Sequence, residues 1–190
     1  MSDSMERMFI KNGIPTTIIR SAGNVSTYVD ISAKVKLNYS YELLASFPAS
    51  SGVVAGDLIL ASGIYYLIPY VIKDEFKGRI FSIKTRLFTC NRTVSISAQD
   101  ATTKKFGVTK TDVHCLVVDQ NNVMVESDLG VAVPGMRGTK DISYFLYMQT
   151  IPELTKNSMF MDGTRKLRIT GNLNPYYAAG ITEVPVKIEE

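Results

Sequence analysis

The sequence predicts an all-β protein with one short N-terminal helix, folded as a small antiparallel β-barrel or sandwich with long loops. Side chains alternate over residues 80–87, with Phe81 and Ile83 on one face and Lys84 and Arg86 on the other, which is the period of a half-buried strand. About nine to eleven such short runs are separated by turn residues, as in barrels and sandwiches. Ten Tyr and eight Phe, with no Trp, agree with a sheet-rich chain.

Composition indicates an ordinary soluble globular protein. The 190 residues, 45% hydrophobic and 21% charged, suit a single domain over residues 1–190. The net charge of +3 neither requires nor excludes a polyanionic partner. No apolar run is long enough to span a membrane, and the N-terminus has no basic and apolar signal segment. We therefore expect no membrane association, and function in the compartment where the chain is made.

The chain is expected to open with a helix over residues 3–12. Asp3 or Ser4 is placed to cap it, and Gly13 follows its last turn. Met8 and Phe9 belong to its apolar face, which would dock on the domain or on a neighbouring molecule. We therefore count Met8 and Phe9 as candidate interface residues.

Residues 14–128 are predicted to form the barrel core. The apolar runs Leu58–Leu60 and Ile64–Ile68 are predicted to form a hairpin with its turn at Ser62 and Gly63. A charged turn over Lys73–Gly78 then leads into the long strand that begins at Ile80. A second hairpin is predicted between residues 113–118 and 123–125, because the intervening Asp and Asn residues favour turns.

Residues 129–141 are predicted to be a flexible interaction loop. Three glycines and a proline surround Met136, Arg137 and Lys140, and such segments often carry binding residues. Residues 142–190 then supply C-terminal strands that complete or extend the barrel.

Within those C-terminal strands, one strand has bulky side chains on both faces. Tyr144 lies on one face of the strand, and Phe145 and Tyr147 lie on the opposite face. Both faces are therefore expected to be covered, one by the core and one by a partner.

The sequence offers no set of residues for catalysis, for a cofactor or for a metal. The lone His114 stands beside Cys115 in a strand, where neighbouring side chains point to opposite faces. His114 also lacks the further ligands of a zinc site. Cys115 and Cys90 are expected to be small buried hydrophobes rather than a disulfide. No phosphate-binding glycine loop or nucleophile elbow is present, so we expect a protein that is not an enzyme.

An OB-like barrel that binds single-stranded nucleic acid is an alternative hypothesis. Stacking rings and cations are the side chains that such a site uses. The candidate residues are Lys84, Arg86 and Arg92 with Tyr65, Tyr66 and Tyr70. Because the cations are dispersed, we favour solubilising charges and packed rings over this site.

Several segments resemble the small neck proteins of tailed bacteriophages, the head-closure or stopper proteins and related head-to-tail connectors. These segments are Gly56-Asp57-Leu58-Ile59, then Tyr65-Tyr66-Leu67-Ile68, and Leu87-Phe88-Thr89-Cys90-Asn91. The opening from Met8 to Arg20, a short helix leading through a glycine into a β-branched run, is also similar. The resemblance covers residues 5–95.

The resemblance implies a structural virion protein, made in the host cytoplasm and located in the neck of the particle. It would form a ring of itself, commonly of six or twelve copies, between the portal or adaptor protein and the tail terminator or another tail protein. The ring would close the channel that holds packaged DNA and provide a platform for tail attachment. Lys104, Lys105 and Lys110 are the residues that could face DNA in the lumen. A tail completion or minor tail protein is the second structural hypothesis.

Overall fold

The structure is a computed structural model that describes residues 2–20, 22–32, 42–99, 106–119, 124–126, 132–134, 143–152, 154–176 and 180–189. These residues form two compact units. The first contains the described part of Met1–Cys90, with Gly180 and Ile181, and the second contains the described remainder. None of the helices in the described ranges is long and apolar enough to cross a membrane.

The first unit contains one α-helix and seven strands among its described residues. In chain order these are α1 (Ser2–Asn12), β1 (Ile14–Ile19), β2 (Val25–Ser32), β3 (Glu42–Pro48), β4 (Leu58–Ala61), β5 (Ile64–Leu67), β6 (Ile72–Phe76) and β7 (Arg79–Thr89). The strands are antiparallel and follow the order β3-β2-β1-β4-β5-β7-β6. Because β3 also pairs with β7, six of them close into a barrel, and β6 stands outside the ring on the edge of β7.

Alternation along these strands directs the apolar side chains into the first barrel. Its buried core includes Ile18, Val29, Phe47, Ile59 and Leu87. The helix α1 packs against β2 and β3, and its last turn is closed by the Gly13 amide, which donates to the Phe9 carbonyl at 2.7 Å. The β4–β5 hairpin and the long strand β7 confirm the predicted centre of the chain.

The second unit contains nine strands among its described residues. They are β8 (Arg92–Gln99), β9 (Phe106–Asp119), β10 (Met124–Glu126), β11 (Ala132–Pro134), β12 (Tyr144–Gln149), β13 (Met159–Asp162), β14 (Arg165–Ile169), β15 (Asn174–Tyr176) and β16 (Ile181–Glu189). The main sheet follows the order β12-β9-β8-β13-β14-β16-β15, and pairing of β12 with β16 closes a six-stranded barrel. Its core includes Ile96, Leu146, Met148, Phe160 and Val184. Strands β10 and β11 form a separate two-stranded ladder.

The two barrels have the same strand order. If the six ring strands of each barrel are numbered along the chain, both rings run first-second-third-sixth-fifth-fourth and close on the first. The two barrels adjoin in sequence, since β7 ends at Thr89 and β8 begins at Arg92. The sequence shows no repeat with a period of about 20–50 residues. The repeated strand order has a longer period, because each copy of it is a whole six-stranded barrel.

The all-β fold class, the antiparallel barrel and the N-terminal helix are therefore confirmed. The predicted layout was a single domain with a barrel core over residues 14–128. The structure instead has two compact units, and the first gives way to the second between Cys90 and Asn91. With no Gly- or Pro-rich linker at this point, composition gave no sign of a boundary.

Three local predictions are corrected. The segment Lys73–Gly78 is mostly strand β6 rather than a turn, and the turn itself is confined to Lys77 and Gly78. Residues 113–118 pair with β8 and β12, and the described part of the predicted partner strand, Met124–Glu126, pairs with Ala132–Pro134. Within the predicted loop 129–141, Ala132–Pro134 is a strand paired with Met124–Glu126. For residues 113–118 the partners are distant in sequence and override the local turn signal, whereas the other two segments pair with strands that are near in sequence.

Candidate interaction surface

The predicted apolar face of α1 is divided between surface and core. The Met8 side chain is 47% exposed, whereas Phe9 is only 5% exposed. Phe9 therefore stabilises the first unit and is not available to a partner, which corrects its assignment as an interface residue. Ile10 is the other large apolar side chain of the helix that is exposed. Glu6 accepts a hydrogen bond from the Ser50 hydroxyl at 2.6 Å, which fastens the helix to the residues after β3.

Strand β12 is covered on both faces. Leu146 and Met148 belong to the core of the second barrel, and Phe145 and Tyr147 on the alternate positions are also buried. The Tyr147 hydroxyl donates to the buried carboxylate of Glu183 at 3.1 Å. Both faces of the strand are therefore covered, as predicted, but Phe145 and Tyr147 are buried within the chain and not by a partner, which corrects their assignment as interface residues.

Tyr144, at the start of the same strand, is partly buried against the core of the second barrel. Of the predicted basic and loop residues, only Lys110 is described. It is exposed on β9. Met136, Arg137, Lys140, Lys104 and Lys105 lie outside the described residues, so their assignments stay predictions.

The far end of the β8–β9 hairpin carries exposed apolar side chains. We call residues 106–112 of β9 the β9 arm. It pairs with β8 as far as Gln99, while the described residues of β12 pair with β9 residues 115–119. All seven arm residues are exposed, and they include Phe106 and Val108, the latter 64% exposed. Large apolar side chains that are exposed close together can form part of a contact surface.

The first unit has a similarly exposed strand, which we call the β6 arm: strand β6 with its turn at Lys77 and Gly78. Ile72 and Phe76 are 58% and 62% exposed. The Phe76 ring lies 6.5 Å from that of Phe81, and the Lys77 ammonium lies 5.4 Å from the Phe76 centroid. Sequence reasoning missed this arm, because its three consecutive charged residues, Lys73–Glu75, are equally typical of a surface turn.

The Lys84 ammonium lies 2.8 Å from the Asp74 carboxylate of the β6 arm. This ion pair is the main reason why the pKa of Asp74 is below its usual range, and a hydrogen bond from Ser82 makes a smaller contribution in the same direction. Lys84 was also a candidate nucleic-acid contact, as was Arg92, whose Nε lies 3.7 Å from Asp162. Both cations thus have carboxylate partners within the chain. Tyr66, proposed as a stacking ring, is buried, and burial raises its pKa. These contacts weaken the case for a nucleic-acid site.

The two nucleophilic or basic side chains singled out in the sequence do not form a reactive pair. The His114 ring nitrogen Nδ1 lies 3.0 Å from the Thr93 hydroxyl, and burial lowers the pKa of His114, partly offset by Asp112. Cys115 is buried, which raises the pKa of its thiol to about 12, so the nucleophilic thiolate is scarce at neutral pH. Among the described residues, no group of three or more His, Cys, Asp or Glu is placed to hold a metal ion.

Comparisons with known proteins give no family. No protein-family model matches the chain, and a search of curated proteins gives no match. A solved structure described as "MrkH, A novel c-di-GMP dependence transcription regulatory factor" aligns with 100% of this chain and 83% of its own, at 10% identity and a TM-score of 0.24. A TM-score of this size carries no argument about fold or function.

Proposed function

We propose that this chain is a structural, non-enzymatic virion protein of a tailed-phage neck. In this role it forms a ring between the portal or adaptor and the tail, closes the DNA channel and provides the platform for tail attachment. The proposal rests on the resemblance of residues 5–95 to neck proteins. The observation that supports it most directly is the β9 arm, a strand end on which Phe106 and Val108 are exposed.

Each unit contains a closed barrel. Closure of a sheet removes free edges, so in each unit the described ring strands are paired on both sides. Exposed apolar side chains outside the barrel cores are then the candidate sites for contacts between subunits. A ring closed by rotation needs two different patches on each subunit. The β9 arm supplies one apolar patch, and the exposed Met8 and Ile10 of α1 supply a second.

Lys110 adds a possible DNA contact to the β9 arm. It is exposed two residues from Val108, so an arm that projects into a ring would bring a cation near the lumen. A single cation contributes weakly to DNA binding, and a role in lining the channel would depend on its repetition around the ring.

The test is assembly on the purified portal or adaptor of the same phage. We expect the wild-type chain to form rings only in the presence of that partner, measured as particle mass and by electron microscopy. A variant carrying Phe106→Ser and Val108→Ser should lose ring formation while keeping its fold. The matched control is Thr111→Ser, a change at another exposed arm position.

Particles made without the protein provide the second part of the test. They should package DNA but fail to retain it or to join tails. Complete and infectious particles would refute the proposal. Labelled subunits found along the tail or at its distal end, rather than at the neck, would instead identify a tail component.

A further inference from the structure

The outer edge of β6 is an open strand edge. Strand β6 stands last in its sheet and, among the described residues, pairs only with β7. All five residues of Ile72–Phe76 are exposed. An unpaired edge of this kind presents a row of backbone donors and acceptors to which another strand can add.

The irregularity in this hairpin leaves the β6 edge regular. Asp74 lies opposite Ser82 and Glu75 lies opposite Ile80, so the extra residue, Phe81, belongs to β7. A bulge protects an edge when it bends the edge strand itself. Here the bulge is on the inner strand, so it does not interrupt the free side of β6.

We propose that β6 pairs antiparallel with β6 of a second copy of this chain, about a two-fold axis that places Asp74 opposite Asp74. In this register Lys73 of each copy lies opposite Glu75 of the other, and Ile72 lies opposite Phe76. The contact therefore contains two Lys–Glu pairs and two apolar pairs, which are favourable cross-strand combinations. The facing Asp74 carboxylates each bring their own Lys84 at 2.8 Å, so this centre carries no net charge.

Other registers of the same two strands are less favourable. Hydrogen-bonded and non-hydrogen-bonded pairs alternate along an antiparallel ladder, so a two-fold axis passes through a residue pair and not between two successive pairs. An axis on Glu75 places Lys73 opposite Lys77, and an axis on Lys73 places the two Lys73 side chains opposite each other. A parallel, in-register arrangement places every charge opposite its own kind. Like charges directly opposite each other are destabilising, so charge complementarity selects the register centred on Asp74.

This contact is independent of the proposed function. Two-fold pairing is isologous, whereas the contacts of a ring are heterologous, and the substitutions that test the two use different arms. Because five residues a side make a small interface, the pairing is expected to be weak and dependent on concentration.

Charge reversal tests the pairing. Sedimentation velocity of the wild-type chain over a wide concentration range should show reversible dimerisation. The variants Lys73→Glu and Glu75→Lys each turn two attractive pairs into two repulsive ones, so each alone should weaken dimerisation roughly tenfold or more, about 1.4 kcal/mol. An equimolar mixture of the two variants restores both Lys–Glu pairs and should dimerise as the wild type does. Lys166→Glu, at an exposed position on β14 opposite Glu189, is the matched control and should have no effect.

Cysteine cross-linking tests the register. Directly opposite residues on antiparallel strands have Cα atoms about 4.5–5.5 Å apart, within the range of a disulfide. The Asp74→Cys variant should therefore form a covalent dimer under mild oxidation. The Ile72→Cys variant should not, because residue 72 lies opposite residue 76. The wild-type chain, with half-buried Cys90 and buried Cys115, measures the background.

Restoration by the mixture and selective cross-linking at residue 74 would support the proposal. It would be overturned by dimerisation that is indifferent to both charge reversals, by equal cross-linking of the two cysteine variants, or by a monomeric wild type that gives no cross-link at residue 74. Loss of ring assembly in the β9 arm variants with β6 pairing intact would separate this contact from the proposed function.

Discussion

Replacing Asp57 should weaken the first barrel far more than replacing an exposed acid on the same sheet. The Asp57 carboxylate is 4% exposed and accepts hydrogen bonds from Arg20 through Nε at 2.7 Å and through a terminal guanidinium nitrogen. It also accepts from the Val54 amide at 2.8 Å, while Arg20 donates to the Gly52 carbonyl at 2.8 Å. One carboxylate thus joins the residue after β1 to the turn that precedes β4.

The magnitude follows from what Asp57→Ala leaves behind. It removes a bidentate charged pair and leaves the Val54 amide without its acceptor. Losing one partner of a fully buried ion pair costs about 3–5 kcal/mol, but the Arg20 side chain is 29% exposed and regains water. We therefore expect a loss of about 3 kcal/mol in the free energy of unfolding of the first barrel. Asp57→Asn keeps an acceptor and should cost about half as much.

Hydrogen exchange measured by mass spectrometry suits this test, because the chain contains two units that need not unfold together. Peptides covering β4 and β5 should exchange roughly 100-fold faster in Asp57→Ala, since a tenfold change corresponds to about 1.4 kcal/mol. The matched control is Asp74→Ala, which removes the exposed partner of Lys84. Exposed ion pairs contribute little to stability, so its exchange in β4 and β5 should match that of the wild type.

Equal exchange in the Asp57→Ala and Asp74→Ala variants would refute the reasoning that burial decides the contribution of these two carboxylates. A double-mutant cycle with Arg20→Ala adds a second criterion. If Arg20 and Asp57 act as one unit, the double variant should be little less stable than either single variant, and strictly additive losses would show that the two side chains act separately.

Three further predictions concern the backbone and the titratable groups. Gly56 has φ of 87°, and a Cβ there would lie 2.5 Å from the Gly180 Cα atom, so Gly56→Ala should lower the free energy of unfolding by at least about 2 kcal/mol in a thermal melt. An unchanged melt would contradict that contact. Because Cys115 is buried and its thiol pKa is about 12, thiol reagents should label Cys90 first and Cys115 only after unfolding, as counted by mass spectrometry. The pKa of His114 is below its unfolded value of 6.5, so the unfolded chain binds the proton more readily. Stability should therefore fall as pH drops through 6.5 towards the folded pKa, and His114→Gln should reduce that slope in unfolding titrations.

The candidate surface was only partly predictable from the sequence. Apolar character identified Met8 but could not distinguish it from its buried neighbour Phe9. The bulky side chains on both faces of strand 144–149 correctly predicted that both faces are covered, but not that Phe145 and Tyr147 are buried within the chain and not by a partner. The β6 arm was read as a turn, since a strand exposed on both faces has no burial pattern to reveal it. Exposure depends on what packs on each side, and local sequence does not contain that information.

The sequence by itself determined the local elements. Helical spacing and a following glycine gave α1, and alternating side chains around short turns gave the β4–β5 hairpin and the long strand β7, because these patterns depend on residues a few positions apart. Only the tertiary structure decided that β3 pairs with β7 and β12 with β16, which closes two barrels of the same strand order. Those pairings join strands separated by some thirty or more positions, and their register follows from the packing of a whole core rather than from any single segment.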